Sequence, residues 1–406
     1  MKLRSYPAAA ALAALMLAHA GQAAETRPRA RDLGIAPGVF PPGALNAITD
    51  VAGVQVGQVT LIEGQSVRTG VTVVVPHGGD LFREKVPAGV SVGNGFGKLA
   101  GSTQVDELGT LETPIALTNT LDVSAAMRGL VAAALARPGN EDVRSVNAVV
   151  GETNDGRLND IRGEHLRPQH VLAALQAART GPVDEGNVGA GTGTMCFGWK
   201  CGIGTASRKL PARYGAYTLG VLVQANFGGV LSLDGVPVGR DLDRHAWVSR
   251  VGEAFPWPRA PDSVRRERST TIDAEPERPV EDTGGSCMIV VATDAPLDAR
   301  ELRRLAARAV FALARTGSSF SSGSGDYAIA FSTAPELRVR HGSTAVTPRA
   351  LLPSDAVSPL FQAVLEATEE AVYNALLKSE TTTANGATAE AIPIGTVRDL
   401  MKKYGR

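Results

Sequence analysis

The stretch Gly284 to Asp298, GGSCMIVVATDAPLD, decides how this chain is to be read. Ahead of it, residues 256 to 285 have no hydrophobic period and hold five prolines among dense charges, the composition of a solvent-exposed loop. From Ser286 onward the run Cys-Met-Ile-Val-Val-Ala predicts a buried strand. A strand core that starts at a serine behind two glycines admits two readings. Ser286 is either a turn residue or a nucleophile. A serine hydroxyl is weak unless a base lies within hydrogen-bond reach, and one such base is the residue's own α-amino group, freed by cutting the bond before it. That amine titrates near ~8, so part of it is neutral at ordinary pH. Gly285 would let the backbone take the strained conformation in which the hydroxyl attacks its preceding carbonyl, and an exposed loop tolerates being severed. Gly-Gly-Ser is also a common turn, and these residues alone leave both readings open.

Working outward, the segment after the strand predicts a helix capped by Asp298 and ended by Gly317, with Leu302, Leu305, Ala309, Val310 and Leu313 on one face. SSFSSGSG then reads as a flexible polar turn. DYAIAFSTA reads as a half-buried strand alternating Tyr327, Ile329 and Phe331 against alanines, and a final helix is expected with Ser358 as cap and Pro359 in its first turn. Upstream, glycine-divided apolar segments at 50–62, 68–79 and 86–101 predict strands, and SAAMRGLVAAALARPG predicts a helix with Ala126, Leu130, Ala133 and Ala134 on one face. Only 121 residues follow position 285, too few elements for a separate domain, so both parts are expected to share one layered α/β sandwich.

Composition narrows the function. The 406 residues carry 41 basic and 41 acidic side chains, a balance that offers no field for nucleic acid or an anionic membrane. Lys2 and Arg4, the apolar stretch AAAALAALMLAHA and then Gly-Gln-Ala predict a signal peptide over residues 1–23, cut after Ala23, and a periplasmic or secreted mature protein with no membrane segment. Cys287 reads as a core thiol, and a bridge between Cys196 and Cys201 stays unassigned. Six histidines without an HExxH motif or a Cys/His cluster point away from zinc. Gly89-Val90-Ser91-Val92-Gly93 fits the G-x-S-x-G elbow formally, but glycine-rich sequence follows where a helix is required. GNGFGKL has Leu99 where a phosphate loop needs a hydroxyl, and GAGTGTMCFG misses the last glycine of a dinucleotide fingerprint. All three are read as backbone turns or ordinary strand.

Several long segments together carry a resemblance. GGSCMIVVATDAPLD and GSGDYAIAFSTA, with NAITDVAGVQVG, NGFGKLAG, ELGTLETPIALTNTLDV, GAGTGTMCFGWKCGIGTASR and GVLVQANFG upstream, occur in order between about residues 33 and 393. In these the chain resembles the L-aminopeptidase/D-amidase-esterase family, which includes the β-peptidyl aminopeptidases. The resemblance implies a four-layer αββα sandwich, similar to N-terminal-nucleophile hydrolases but differently connected. It implies a precursor that cleaves itself between Gly285 and Ser286 into a larger chain, 24–285, whose exposed processing loop is 256–285, and a smaller chain, 286–406. Ser286 is then the nucleophile, Asn226 the oxyanion-hole amide, and Ser324 a second serine touching the nucleophile. Glu152 receives the substrate's ammonium group and Asp326 helps to bind it. Asn154 stands where some members have a tyrosine, a departure that bears on proton transfer and substrate preference. The implied reaction hydrolyses the bond after a free N-terminal residue in small peptides, amino-acid amides or esters, with no cofactor and no metal, in a homo-oligomer expected to be a tetramer.

Two other classes stay in view. An acyltransferase of the ornithine acetyltransferase type shares the self-cleaved architecture but is expected to begin its second chain with threonine. An exported binding protein that only matures by cleavage would keep Gly285-Ser286 without needing both Asn226 and Glu152.

Overall fold

The computed structural model describes residues 27–245 and 285–406; the signal segment 1–23 and most of the processing loop, 256–284, lie outside the described residues. In chain order the strands are β1 (Gln55–Glu63), β2 (Val67–Val75), β3 (Glu84–Gly95), β4 (Leu99–Ala100), β5 (Thr110–Leu111), β6 (Ile115–Asn119), β7 (Val149–Thr153), β8 (Met195–Cys196), β9 (Trp199–Lys200), β10 (Ile203–Lys209), β11 (Thr218–Asn226), β12 (Ser286–Thr293), β13 (Gly325–Ser332) and β14 (Val339–Arg340). The helices used below are α1 (Ser102–Leu108), α2 (Val123–Leu135), α3 (Pro168–Ala177), α4 (Val238–Asp241), α5 (Ala299–Thr316), α6 (Ser358–Leu377) and α7 (Ile394–Lys403).

Two sheets stack face to face. One has the order β1-β2-β6-β7-β4; the other runs β10-β11-β12-β13-β3-β14, with β5 on β3. Each contains one parallel pair, β6 with β7 and β12 with β13, and a parallel pair needs a crossover longer than a turn. Helix α2 lies within the first crossover and α5 within the second. One apolar cluster fills the space between the sheets, one lies between the first sheet and α2 and α3, and one lies between the second sheet and α5 and α6. The layers are therefore α, β, β, α, the arrangement implied by the resemblance.

Strand β13 departs from expectation in an instructive way. Its alternation is real, but both faces are buried. Tyr327, Ile329 and Phe331 enter the inter-sheet core, while Ala328 and Ala330 face the helices, so the pattern sorts large from small side chains rather than buried from wet. Asp298 caps α5 by accepting from Glu301 N–H at 2.9 Å, Gly317 ends it with φ +99°, and all five residues expected on its inner face are buried.

Helix α6 differs more. Val357, not Ser358, holds its cap position, and it is not the last helix, since α7 follows. Its second half is buried nearly all round, including Glu366, Glu369 and Glu370. Arg208 of β10, itself fully buried, pairs with Glu366 at 3.1 Å and Glu370 at 2.9 Å. Glu366 also accepts from Val39 N–H and Phe40 N–H, and Glu370 pairs with Arg31. These carboxylates thus fasten the N-terminal segment and β10 to α6. We expect Arg208→Ala to cost ~3–5 kcal/mol by leaving two buried carboxylates short of a cation; a melting temperature within 2 °C of wild type by calorimetry would show that the network is not stabilising.

Candidate active site

Ser286 opens β12 in the middle of the second sheet. Its backbone pairs antiparallel with Asn226 at the end of β11 and parallel with Gly325 at the start of β13. The Ser286 hydroxyl donates to the carbonyl of Gly285 at 2.7 Å. Gly325 N–H is shared between that carbonyl, at 3.0 Å, and Ser286 Oγ, at 3.3 Å. Gly285 is needed for space: a Cβ there would fall 2.3 Å from Phe227 Cα and 2.6 Å from Asn226 O. Its φ is not in the left-handed region, so close approach, and not the strained backbone expected from the sequence, explains the glycine.

Asn226 is opposite Ser286 in an antiparallel pair, which puts both side chains on one face. Its amide orientation is fixed from both ends, since Oδ1 accepts from Met195 N–H at 2.9 Å and Nδ2 donates to Asn154 O at 3.0 Å. One Nδ2 hydrogen is left for another acceptor. Asn154 contributes through its backbone; its exposed side chain accepts from Gly156 N–H at 2.9 Å.

Met195 belongs to a segment the sequence offered only as glycine-rich turns. Strands β8 and β9 form a tight hairpin, and Cys196 and Cys201 are bridged, with Cα atoms 5.3 Å apart. Phe197 N–H donates to Phe227 O at 2.9 Å and its ring meets that of Phe227 edge-on. Lys200, fully buried, donates from Nζ to Gly191 O at 3.0 Å and to Cys201 O, and burial pushes its pKa down to about 7. The disulfide and the lysine together stiffen the loop that aims Asn226.

The acidic residues are placed differently. Glu152, at the end of β7, is buried; its Oε1 accepts from Lys98 N–H at 3.0 Å and from Lys98 Nζ at 3.3 Å, and its Oε2 accepts from the Thr120 hydroxyl. Gly97 lies between this carboxylate and Gly325: a Cβ at 97 would stand 3.2 Å from Glu152 Oε1 and 3.3 Å from Gly325 Cα. A Cβ at 325 would stand 3.2 Å from Ser286 Oγ. Two glycines therefore keep open the space between carboxylate and hydroxyl.

Asp326 is on the opposite face of the sheet from Ser286, as its register partner Cys287 shows. A Cβ at Gly93 would meet both Asp326 Cβ, at 3.4 Å, and Val310 of α5. Among the described residues Asp326 and Glu152 share no hydrogen-bond partner, although both charges act on Tyr327, and the joint amine site implied by the resemblance is not seen as a side-by-side pair. Both Asp326 oxygens are buried without a hydrogen bond, and burial raises its pKa from 3.8 to about 6. The Ser324 hydroxyl, two residues back, offsets part of that rise, and its oxygen too is buried without a hydrogen bond that meets strict geometry among the described residues. The SSGSG turn before it is pinned, because Asn94 Nδ2 donates to the Ser321, Ser322 and Ser324 carbonyls. Burial also raises the pKa of the Cys287 thiol, as suits a core residue. Ser91 lies inside β3 opposite Ala328, with no strand-turn-helix elbow. Among the described residues no group of three or more His, Cys, Asp or Glu side chains is placed to hold a metal ion.

The chain as a whole has known relatives. The model of peptidase family S58 matches residues 46–389. The chain belongs to peptidase family S58. The β-peptidyl aminopeptidase BapA of Sphingosinicella microcystinivorans is 42% identical over 98% of this chain and 97% of its own. A β-aminopeptidase of Burkholderia sp. superposes with a TM-score of 0.79 at 39% identity, over 93% of this chain and 99% of that one. The L-aminopeptidase D-Ala-esterase/amidase of Ochrobactrum anthropi, described as a prototype for the serine aminopeptidases and a variant of the N-terminal-nucleophile-hydrolase fold, gives 0.78 at 34% identity, over 94% and 99%. This S58 protein is a serine aminopeptidase/amidase with that fold. The acyltransferase and binding-protein alternatives are not favoured by these matches.

The Asp326 carboxyl has a stability signature. Because folding raises its pKa, its contribution is fully present below pH ~4 and is lost as pH rises through about 6; at ~1.4 kcal/mol per pH unit this amounts to roughly 3 kcal/mol. Asp326→Asn should therefore be more stable than wild type at pH 8 but not at pH 4. Denaturant titrations at the two pH values check this, and an equal difference at both would contradict the shift.

Proposed function

We propose that this aminopeptidase matures by cutting its own chain before Ser286 and then uses that residue as an N-terminal nucleophile. One observation carries the reading: the Ser286 hydroxyl touches the Gly285 carbonyl, and Gly325 N–H donates to the same oxygen. Attack by Oγ on the Gly285 carbonyl carbon forms a C–O bond and puts negative charge on the oxygen that Gly325 already serves. The C–N bond then breaks as the Oγ proton passes to nitrogen, giving an ester, and water hydrolyses it to leave the Gly285 carboxylate and a free Ser286 amine.

In turnover the new amine accepts the Oγ proton while Oγ attacks the substrate carbonyl. The spare Nδ2 hydrogen of Asn226 stabilises the developing oxyanion, a role worth ~3–4 kcal/mol. The protonated Ser286 amine then gives that proton to the leaving amine or alcohol as the substrate's C–N or C–O bond breaks. The same amine takes a proton from the water that hydrolyses the acyl-Ser286 ester and returns it to Oγ. Glu152 receives the substrate's ammonium across the gap kept by Gly97 and Gly325. Asp326 is assigned to the charge behind Ser324, since it faces away from Glu152. Substrates are small peptides, amides or esters with a free amine, and the 42% identity to a β-peptidyl aminopeptidase supports β-residues among them.

We also propose export by the segment 1–23 to the periplasm or beyond; the Cys196–Cys201 bridge fits an oxidising compartment. The mature enzyme is taken to be a homo-oligomer, a tetramer by resemblance.

Wild-type protein should run on a denaturing gel as fragments of roughly 27 and 13 kDa, scaled from chain length. Edman sequencing of the smaller one should read Ser-Cys-Met-Ile-Val. Ser286→Ala should stay a single, folded, inactive chain. An active enzyme that remains uncut would overturn the mechanism.

The amine site has its own test. Glu152→Gln should raise KM for an aminoacyl p-nitroanilide about 10-fold or more while leaving self-cleavage intact. Equal hydrolysis of a substrate and its N-acetyl twin would show that Glu152 does not select the amine.

A further inference from the structure

We propose that Lys98 is a resident counter-ion of Glu152, and that the substrate's ammonium group gains its place by displacing the Lys98 ammonium. This rests on the reading of Glu152 as the amine site. The Glu152 side chain is 3% exposed, and a carboxylate so buried is costly to hold without a cation. An aminopeptidase between turnovers has no substrate ammonium to supply one. Lys98 supplies it at 3.3 Å from a side chain that is 53% exposed.

The three donors on Glu152 are not equivalent. Lys98 N–H is part of the backbone just ahead of β4, and the Thr120 hydroxyl follows directly on β6. Both are neutral and held by the fold. Only Lys98 Nζ sits on a flexible four-carbon stem already half in water, so it alone can leave without disturbing the carboxylate. When it leaves, the two neutral donors keep Glu152 aimed, and one cation replaces another. The entering group has room, since neither Gly97 nor Gly325 carries a Cβ to block the space toward Ser286. Asp326 shows the contrast: it is buried with no hydrogen-bond partner, and its pKa rises.

Exchange of like charges makes amine selectivity a competition. An acetylated or deaminated N-terminus carries no charge and cannot take over from Lys98, whereas a protonated amine can. Removing the Lys98 head while keeping its stem should then help a cationic substrate. For Lys98→Met we expect KM for an aminoacyl p-nitroanilide, measured below the substrate amine's pKa, to fall about two- to five-fold, the weight of a half-exposed ion pair, with the change in KM rather than in kcat. The inhibition constant of propylammonium ion should fall in parallel, and Lys98→Arg should restore wild-type values. Should KM stay level or rise in Lys98→Met while Glu152→Gln still raises it, Lys98 is not a displaceable counter-ion. If Glu152→Gln itself leaves KM at the wild-type value, the amine-site reading fails and this proposal fails with it.

Discussion

The backbone of Ser286 is paired on both sides, to Asn226 through an antiparallel ladder and to Gly325 through a parallel one, and the site depends on those two registers. A slip of one residue in either would turn its side chains to the other face. The antiparallel register puts the Asn226 amide on the same face as the Ser286 hydroxyl. The parallel register brings Gly325 N–H onto the Gly285 carbonyl. Both ladders run through strands buried on both faces, so the geometry is set by the core of the second sheet, not by the loops around it.

Burial of charge organises the surroundings. Arg208, Glu366 and Glu370 are buried as a closed network in which every charge has a partner, and their role is to join elements. Glu152 is as deeply buried but is neutralised by a half-exposed lysine, an arrangement that can be undone without unfolding. Asp326 has no cation beside it among the described residues, and burial raises its pKa. The same functional group thus meets three environments: a closed ion-pair network, a half-exposed lysine that we propose to be exchangeable, and burial that raises the carboxyl's pKa.

Much of this could be read before the structure. The composition break at Gly285-Ser286, the cap and face of α5 and the β-α-β order from 286 to 332 follow from local rules, because turn, period and capping residues all agree there. The placement of Asp326 could not be read from proximity in sequence. Ser324 and Asp326 are two residues apart, but which face they take is decided by the pairing with Cys287, a long-range fact. The contributions of Met195 and Lys98 were hidden for another reason. Met195 acts through its backbone N–H, and Lys98 partly so, a group that every residue but proline has, so no residue type marks those contacts. The Lys98 ammonium is a residue-type signal, but a lone lysine in a glycine-rich segment has no visible partner until Glu152 is brought to it. Their signal was the glycine density on either side, which first read as turns only. The buried carboxylates of α6 were missed because a helical wheel assigns charged positions to water, whereas here the N-terminal segment covers them.

The same topology explains how a chain could be cut at residue 285 and lose nothing structural. In the second sheet, β12 and β13 lie between β11 on one side and β3 on the other. These two strands from after residue 285 are thus enclosed by strands from before it. Separating the pieces would require breaking the β11–β12 ladder along all eight residues of β12 and the β13–β3 ladder as well. It would also require pulling α6 and its buried carboxylates away from Arg208. Against these, the single peptide bond between Gly285 and Ser286 adds little cohesion. Its loss frees one amine at the head of a strand whose position is already fixed from both sides. A terminus is normally the most mobile part of a chain. Beginning it inside a sheet, between two paired neighbours, would let a chain end serve as the positioned base that we propose.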